Sequence, residues 1–254
     1  MRPYEALAEV YDRWTAGNDY AGWAAHLRGA FAGLEPEARL LDVCCGTGKL
    51  TALLEGQGFR VTGVDASQAM LKEAAAALPP GTPLHRVGLG TAGPAEELAS
   101  RVGPAAHDAA VCTFDSVNYF LGEGLLRLFE QVAGALRPGG LFVFDVNTRR
   151  KLEDVFGDSH YGDDLGDFAY VWRNRYDPAA RTVRFLITLF TRDGAHYRKG
   201  EEEHLQQWYT HEEITSAARE AGFTVESVTD DYTNRPATPD TLRETWTLRR
   251  AGGG

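Results

Sequence analysis

Two carboxylates and two glycines carry the first chemistry legible in the chain. The apolar run Leu40-Leu41-Asp42-Val43-Cys44-Cys45 ends in Gly46-Thr47-Gly48, and an apolar helical pattern resumes at Lys49-Leu50. A strand–turn–helix corner of this kind lets the backbone approach a ligand, because glycine has no Cβ in the way. The helix that starts there also turns its free N–H groups toward the crevice. A second apolar run, Gly58 to Val64, ends in Asp65. An acid in that place suits a ribose diol, from which a carboxylate accepts two hydrogen bonds. Asp42 suits a ligand with an ammonium group and would repel a pyrophosphate; its alternative is to cap the turn. The third glycine of a dinucleotide fingerprint would fall at Thr51 and is missing.

Other candidates are more dispersed. Asp115, Asn118 and Tyr119 follow the fourth expected strand at the carboxyl edge, where ligands bind in parallel α/β sheets. Asp and Asn also favour turns, so plain turn chemistry is the competing account. Tyr11, Tyr20 and Trp23 lie near the start of the chain at spacings that also suit ordinary helix packing. His204 closes Glu201-Glu202-Glu203-His204, which reads either as a solvated strand edge or as a general base beside a site. Cys44 and Cys45 read as small packing residues at a crowded strand end.

The elements that must position these groups follow from periodicity. Tyr4, Leu7, Ala8 and Tyr11 have helical spacing, and a second helix is predicted from Tyr20 to Phe31. Strands are predicted up to Cys45, at 58–65, Leu84–Leu89, Ala109–Phe114 and Leu141–Val146. Helices Gln68–Leu78, capped by Ser67, and Leu125–Leu136, stopped by Arg137-Pro138-Gly139-Gly140, lie between them. The alternation argues a parallel sheet covered by helices. Phe168–Tyr176, Val183–Arg192 and Tyr197–Trp208 then read as three aromatic-rich antiparallel strands, inserted after strand five over one edge of the main sheet. Thr210-His211-Glu212-Glu213 is a capping box for a helix to Ala221, and Phe223–Val228 with Leu242–Leu248 form a final antiparallel pair.

Composition bounds the rest. With 254 residues, 43% hydrophobic and 24% charged, the chain reads as one soluble globular domain. A formal net charge of −10 disfavours a nucleic-acid partner. No apolar run is long enough to span a membrane and no leader pattern opens the sequence, so the expected setting is cytoplasmic. Three cysteines without framework or zinc spacing predict neither disulfides nor a metal site.

Three stretches together resemble the class I S-adenosylmethionine-dependent methyltransferases. They are Leu41–Gly48, Val64-Asp65-Ala66-Ser67-Gln68-Ala69-Met70-Leu71, and Leu136-Arg137-Pro138-Gly139-Gly140, in the family's order and spacing across about residues 36–150. The resemblance implies a doubly wound, Rossmann-like, mostly parallel α/β sheet of seven strands with an antiparallel last strand. It implies S-adenosylmethionine as cofactor and S-adenosylhomocysteine as product. Gly46 and Gly48 would pass under the methionine part, Asp65 would hold the ribose, and Ala66 and Met70 would lie beside adenine. The family often has an adenine-reading acid after strand three; here the stretch is Val87-Gly88-Leu89-Gly90-Thr91, so backbone groups would replace it.

Tyr4…Tyr11-Asp12…Tyr20…Trp23 and Cys112-Thr113-Phe114-Asp115-Ser116-Val117-Asn118-Tyr119 resemble a narrower group, small-molecule methyltransferases that include amino-sugar N,N-dimethyltransferases of antibiotic pathways. That resemblance implies a helical lid over 1–35, a cofactor core over 36–150, a β insertion over 165–209 and a final helix and strand pair over 210–250. Within it, Tyr11 and Phe114 would face the cofactor, and Tyr20, Asn118 and Trp172 the acceptor. Tyr119, His204 and Asp115 would serve the chemistry. The partner expected is a small-molecule acceptor, with a homo-oligomer allowed.

Methyl transfer from a sulfonium is an in-line displacement, so the protein supplies alignment and electrostatics. An alkyl amine with a pKa of about 10 costs roughly 4 kcal/mol to neutralise at pH 7, and an aromatic, desolvated pocket recovers much of that. A nearby carboxylate such as Asp115 or Glu203 would aid capture of the ammonium instead. An aliphatic hydroxyl would need a base or metal; a phenol remains feasible with His204 or Tyr119 as base. Nitrogen is the expected acceptor, with O-methylation of a phenol or hydroxyl as the alternative. From other classes, a nicotinamide oxidoreductase is disfavoured by Thr51 and Asp42, and a non-catalytic S-adenosylmethionine-binding protein stays open.

Overall fold

Seven strands carry the crevice, and their order follows from alternating strands and helices. The computed structural model describes residues 4–89 and 97–252. β1 (Arg39–Val43), β2 (Arg60–Asp65), β3 (Leu84–Arg86), β4 (His107–Cys112) and β5 (Leu136–Asn147) are parallel. Two later strands, β10 (Phe223–Asp230) and β11 (Arg243–Arg250), complete the sheet in the order β10-β11-β5-β4-β1-β2-β3. β11 runs antiparallel to both its neighbours. The strand order reverses between β1 and β4, and a crevice opens at the carboxyl ends there.

Period-two alternation supplies a core on each face. On β5, Phe142 and Phe144 pack with Phe129 of α6 (Gly124–Ala135) and Ile214 of α7 (His211–Glu220), whereas Leu141 and Val143 face Leu27 of α2 (Tyr20–Ala30) and Leu54 of α3 (Lys49–Gly56). Asp19 caps α2 through the Gly22 N–H, Ser67 caps α4 (Gln68–Ala77), and Thr210 with Glu213 forms the expected capping box of α7. The short α5 (Glu97–Val102) had no legible signal.

The stretch Arg137-Pro138-Gly139-Gly140 stops α6 as expected, but it then becomes the irregular entry of β5. A Cβ on Gly140 would lie 2.9 Å from the Arg137 carbonyl and 3.1 Å from that of Asp108, so only glycine permits this approach.

Three differences bear on the site. Residues 4–10 form turns rather than a helix, and α1 is confined to Tyr11–Trp14. The physical reason is a distant acceptor: the Glu202 carboxylate takes the N–H groups of Tyr4, Ala6 and Leu7, and Tyr4 sits at φ +64°. Secondly, the inserted sheet has four strands, β6 (His160–Asp164), β7 (Phe168–Asp177), β8 (Thr182–Asp193) and β9 (His196–Gln207), paired in sequence order. β6 is exposed throughout, so it carries no apolar alternation to read. Thirdly, β3 is shorter than expected, and residues 90–96, with Gly90 and Thr91 among them, lie outside the described residues. One face of the inserted sheet buries Phe168, Val183, Phe185 and Ile187 against Leu7 and Val10 of the N-terminal segment and Leu152. No described helix is long and apolar enough to cross a membrane.

Candidate active site

The glycine corner is built as its composition requires. Gly46 has φ +57° and Gly48 φ +80°, the left-handed region that glycine enters without strain. The Gly46 N–H donates to Asp65 Oδ2 at 2.9 Å, and the Ser67 N–H donates to Oδ1 at 2.8 Å. Burial raises the pKa of Asp65, and these backbone hydrogen bonds pull against that rise. The carboxylate is thereby held at the end of β2, on the wall of a cavity of about 810 Å³. Gly46, Ala66, Met70 and Leu89 line the same cavity, together with Tyr11 and Tyr119.

Asp42 lies deeper, fully buried in β1, and accepts the Thr51 hydroxyl at 2.6 Å. Burial pushes its pKa up to about 7, opposed by that hydrogen bond and reinforced by the charge of Asp65. It borders a small pocket of about 40 Å³ together with Gly46, Thr47, Thr113, Phe114 and Tyr20. Gly48 lines neither of these spaces. A Cβ there would meet Leu78 Cδ1 at 2.8 Å, so this glycine lets the start of α3 pack on the end of α4. The N-terminal segment is tied across the corner: Thr47 Oγ1 donates to Asp12 Oδ1 at 2.6 Å, Lys49 Nζ to the Asp12 carbonyl at 2.9 Å, and Ser67 Oγ to the Tyr4 carbonyl at 3.1 Å.

A second cavity, of about 380 Å³, adjoins the first through shared walls at Tyr4, Tyr11 and Tyr119. Its lining is aromatic, with Trp14, Phe114, Phe156, Trp172 and Phe185. Polar groups enter it from β9, from the loop after β4, from the segment after β5 and from β11. A chain of hydrogen bonds runs behind one wall. Tyr4 Oη donates to Tyr119 Oη at 2.8 Å, Tyr119 Oη lies 3.2 Å from His204 Nδ1, and His204 Nε2 lies 3.0 Å from Glu202 Oε2. The buried carboxylate fixes the tautomer by the network: Nε2 carries the proton toward Glu202, and Nδ1 accepts from Tyr119. Burial opposes ionisation of Glu202, but His204 and the N–H groups of Leu7 and Tyr4 outweigh it and hold the carboxyl below its usual pKa. Burial and then the charge of Asp115 push the Tyr119 phenol well up, so it donates as a neutral hydroxyl.

The loop after β4 is held under strain. Phe114 and Asp115 are successive non-glycine residues at φ +60° and +51°. The Asp115 N–H donates to the buried Asp145 at 2.7 Å, and its side chain accepts from the Gln206 amide. Asp145 also accepts from the Tyr232 hydroxyl and lies 3.6 Å from the Arg243 guanidinium.

The chain as a whole is similar to known proteins in sequence and in fold. Residues 16–228 match the profile of a methyltransferase domain. The chain is 30% identical over 233 residues to the methyltransferase-family protein YqeM of Bacillus subtilis, covering 91% of this chain and 90% of that one. Among solved structures it is similar to a S-adenosylmethionine-dependent methyltransferase from Clostridium acetobutylicum, at 28% identity and TM-score 0.82, covering 98% and 99% of the two chains. It is similar also to the sugar N-methyltransferase KedS8 from Streptoalloteichus sp., at 25% identity and TM-score 0.73, covering 97% and 95%. The chain belongs to the S-adenosylmethionine-dependent methyltransferases.

In this methyltransferase the two cavities gather most of the residues singled out by sequence. Asp65, Ala66, Met70 and Gly46 border the larger one; Phe114, Asp115, Trp172 and His204 border the smaller; Tyr11 and Tyr119 border both. Tyr20 borders the small pocket beside Asp42 instead, with its hydroxyl 3.2 Å from Thr15 Oγ1. Asn118 lies outside the cavity linings. It is fully buried, donates to the Asn147 and Gln207 carbonyls, and accepts the Asn147 N–H, which braces the loop against β5 and β9. The solvated-edge account of the acidic run holds for Glu201 and Glu203 alone: Glu203 pairs with Arg184 on the outer face, and Glu202 and His204 point inward. Glu203 therefore cannot serve as the cavity's carboxylate.

Sequence reasoning missed Tyr4, Glu202, Gln206, Lys151 and Arg243 as site residues. Period two could have found two of them, since Glu202, His204 and Gln206 share one face of β9. Lys151 and Arg243 have no local signature; the topology brings them in.

Proposed function

We propose that this methyltransferase transfers the methyl group of S-adenosylmethionine to an amine nitrogen of a small molecule of specialised metabolism. The observation that carries the reading is the aromatic cavity of about 380 Å³ adjoining the larger cavity, with a buried His204–Glu202 pair behind the shared wall. KedS8, a sugar N-methyltransferase, supports nitrogen as the acceptor atom. We read the chain as one domain, with residues 1–35 as the lid, acting in the cytoplasm without nucleic acid.

The residues present fit the cofactor. Nothing lies within 4 Å of where a Cβ on Gly46 would be, leaving room for the methionine portion beside the backbone. Asp65 would hold the ribose diol, Ala66 and Met70 would flank adenine, and Asp42 would answer the ammonium through the small pocket. Tyr11 and Phe114 would close over the sulfonium end. When bound, the cofactor supplies an activated methyl group, and its sulfur leaves with the electron pair.

The protein's part is to orient the acceptor and to manage one proton. An amine enters as an ammonium and must present a lone pair. The aromatic lining disfavours the charged form. The proton passes to Tyr4 Oη, the Tyr4 proton to Tyr119 Oη, and the Tyr119 proton to His204 Nδ1. The imidazolium formed is balanced by Glu202. Asp115 captures the incoming ammonium and aligns it; Trp172 packs against the acceptor's apolar part. The same relay would take the proton of a phenol, which makes O-methylation the second reading.

The test is turnover of the full-length protein with S-adenosylmethionine against a panel of primary amines, secondary amines and phenols, read by methylated mass. Methylated amines support the proposal. Methylated phenols alone move it to the second reading, and cofactor binding without turnover of any acceptor favours a binding protein.

A further inference from the structure

Lys151 enters the smaller cavity from the segment after β5, and its ammonium has no ion-pair partner among the described residues. It lies over the face of the Phe156 ring, with Nζ 5.5 Å from the centroid. The other cation of the cavity is already balanced: Arg243 lies 3.6 Å from Asp145 and 3.5 Å from Asp231. Asp115, the cavity's own acid, is engaged by Gln206 and does not come within 4.0 Å of Lys151. The indole N–H of Trp172, on the same lining, also has no acceptor. Two donors of the lining, the Lys151 ammonium and the Trp172 indole N–H, are thus left without an acceptor. Burial pulls the Lys151 pKa down, against the more distant charges of Asp115, Asp145 and Asp231, none of which pairs with it directly.

Leaving a cation unpaired in an aromatic wall is costly unless a ligand brings the counter-charge. We propose that the acceptor carries, besides its methyl-receiving atom, an anionic group that pairs with Lys151, either a carboxylate or a phosphoester. This rests on the smaller cavity being the acceptor site. It places the substrate among amines that also bear an acid: the amine end meets Asp115 and the tyrosine–histidine relay, and the acidic end meets Lys151.

The experiment uses the full chain saturated with S-adenosylhomocysteine and three probes of one shape: benzoate, phenylphosphonate and benzamide. Their affinities are read by ligand-observed NMR titration. At least one anion is expected to bind about tenfold tighter than benzamide or better, the gain of a charge-assisted contact. Preference for benzoate assigns a carboxylate, and preference for phenylphosphonate a phosphoester. Lys151→Gln and Lys151→Met should abolish the preference, and Lys151→Arg should retain it. Benzamide binding as well as both anions, binding of neither anion, or a preference that survives in Lys151→Gln and Lys151→Met would overturn the proposal. Calorimetric binding of S-adenosylhomocysteine to the same proteins separates the two failures. A protein that binds the nucleoside but shows no anion preference refutes the Lys151 pairing alone, and one that does not bind the nucleoside refutes the cofactor reading.

Discussion

Glu202 and His204 lie two residues apart on one face of β9, with carboxylate and imidazole 3.0 Å apart and neither side chain more than 2% exposed. The same carboxylate accepts the backbone N–H groups of Tyr4, Ala6 and Leu7. One buried charge therefore does two things: it orients the His204 imidazole, and it fastens the N-terminal segment over both cavities.

Glu202→Gln tests that double role. The amide cannot accept from three N–H groups as a carboxylate does, and it turns a donor toward them. The expected loss is roughly 2 kcal/mol of stability, with faster hydrogen exchange at residues 4–14 and lower kcat. The pH dependence has a definite sign. The folded-state pKa of Glu202 lies below its unfolded value near 4.3, so the contribution is complete above that pH and is lost as pH falls through the folded value. Protection at residues 4–14 should therefore be constant from pH 8 to 5 and fall in acid, and Glu202→Gln should flatten that acid step.

Tyr119→Phe removes the middle hydroxyl of the proposed relay and keeps the ring between the cavities. We expect kcat to fall about a hundredfold while S-adenosylhomocysteine affinity stays within about twofold. His204→Asn should reproduce the fall. Equal losses in kcat and cofactor affinity would mean that Tyr119 shapes the wall without carrying a proton.

For the ribose, Asp65→Asn is preferable to alanine, because Gly46 and Ser67 donate to this side chain and an amide oxygen still accepts from one of them. The expected outcome is a fall of ten- to a hundredfold in S-adenosylhomocysteine affinity at an unchanged melting temperature to within a few degrees. An unchanged dissociation constant by calorimetry removes Asp65 from the site.

The part of the site proposed to hold the cofactor was legible because it is local. Asp42, Gly46 and Asp65 sit in or beside strands whose apolar runs and turn residues declare themselves, and a corner of seven residues defines the crevice. The smaller cavity, proposed to take the acceptor, depends on contacts between distant segments. Glu202 reaches Leu7 across 195 positions, and Asn118 reaches Gln207 across 89. Helical spacing at Tyr4, Leu7, Ala8 and Tyr11 misled for that reason: a side-chain acceptor from β9 outcompetes the helix for three N–H groups. β6 escaped notice because an exposed strand of His160-Tyr161-Gly162-Asp163-Asp164 needs no apolar face. Lys151 and Arg243 meet in one cavity only because β5 and β11 are sheet neighbours.

Asp42 yields the sharpest pH test. Its pKa in the folded protein is pushed up to about 7, against about 3.9 unfolded, so folding takes up a proton between these values. Stability from this group is complete below about pH 4 and declines as pH rises toward 7; three units correspond to about 4 kcal/mol as an upper bound. The ligand-free protein should therefore lose melting temperature between pH 5 and 7.5, and Asp42→Asn should remove most of that slope. A cationic ammonium beside the carboxylate reverses the preference, because it favours the charged form. S-adenosylhomocysteine should accordingly raise the melting temperature more at pH 7.5 than at pH 5.5, with that difference absent in Asp42→Asn. A nucleoside lacking the amino-acid moiety, 5′-methylthioadenosine, should give a pH-independent shift. If both ligands behave alike across pH, Asp42 does not meet the ammonium and acts only as the partner of Thr51.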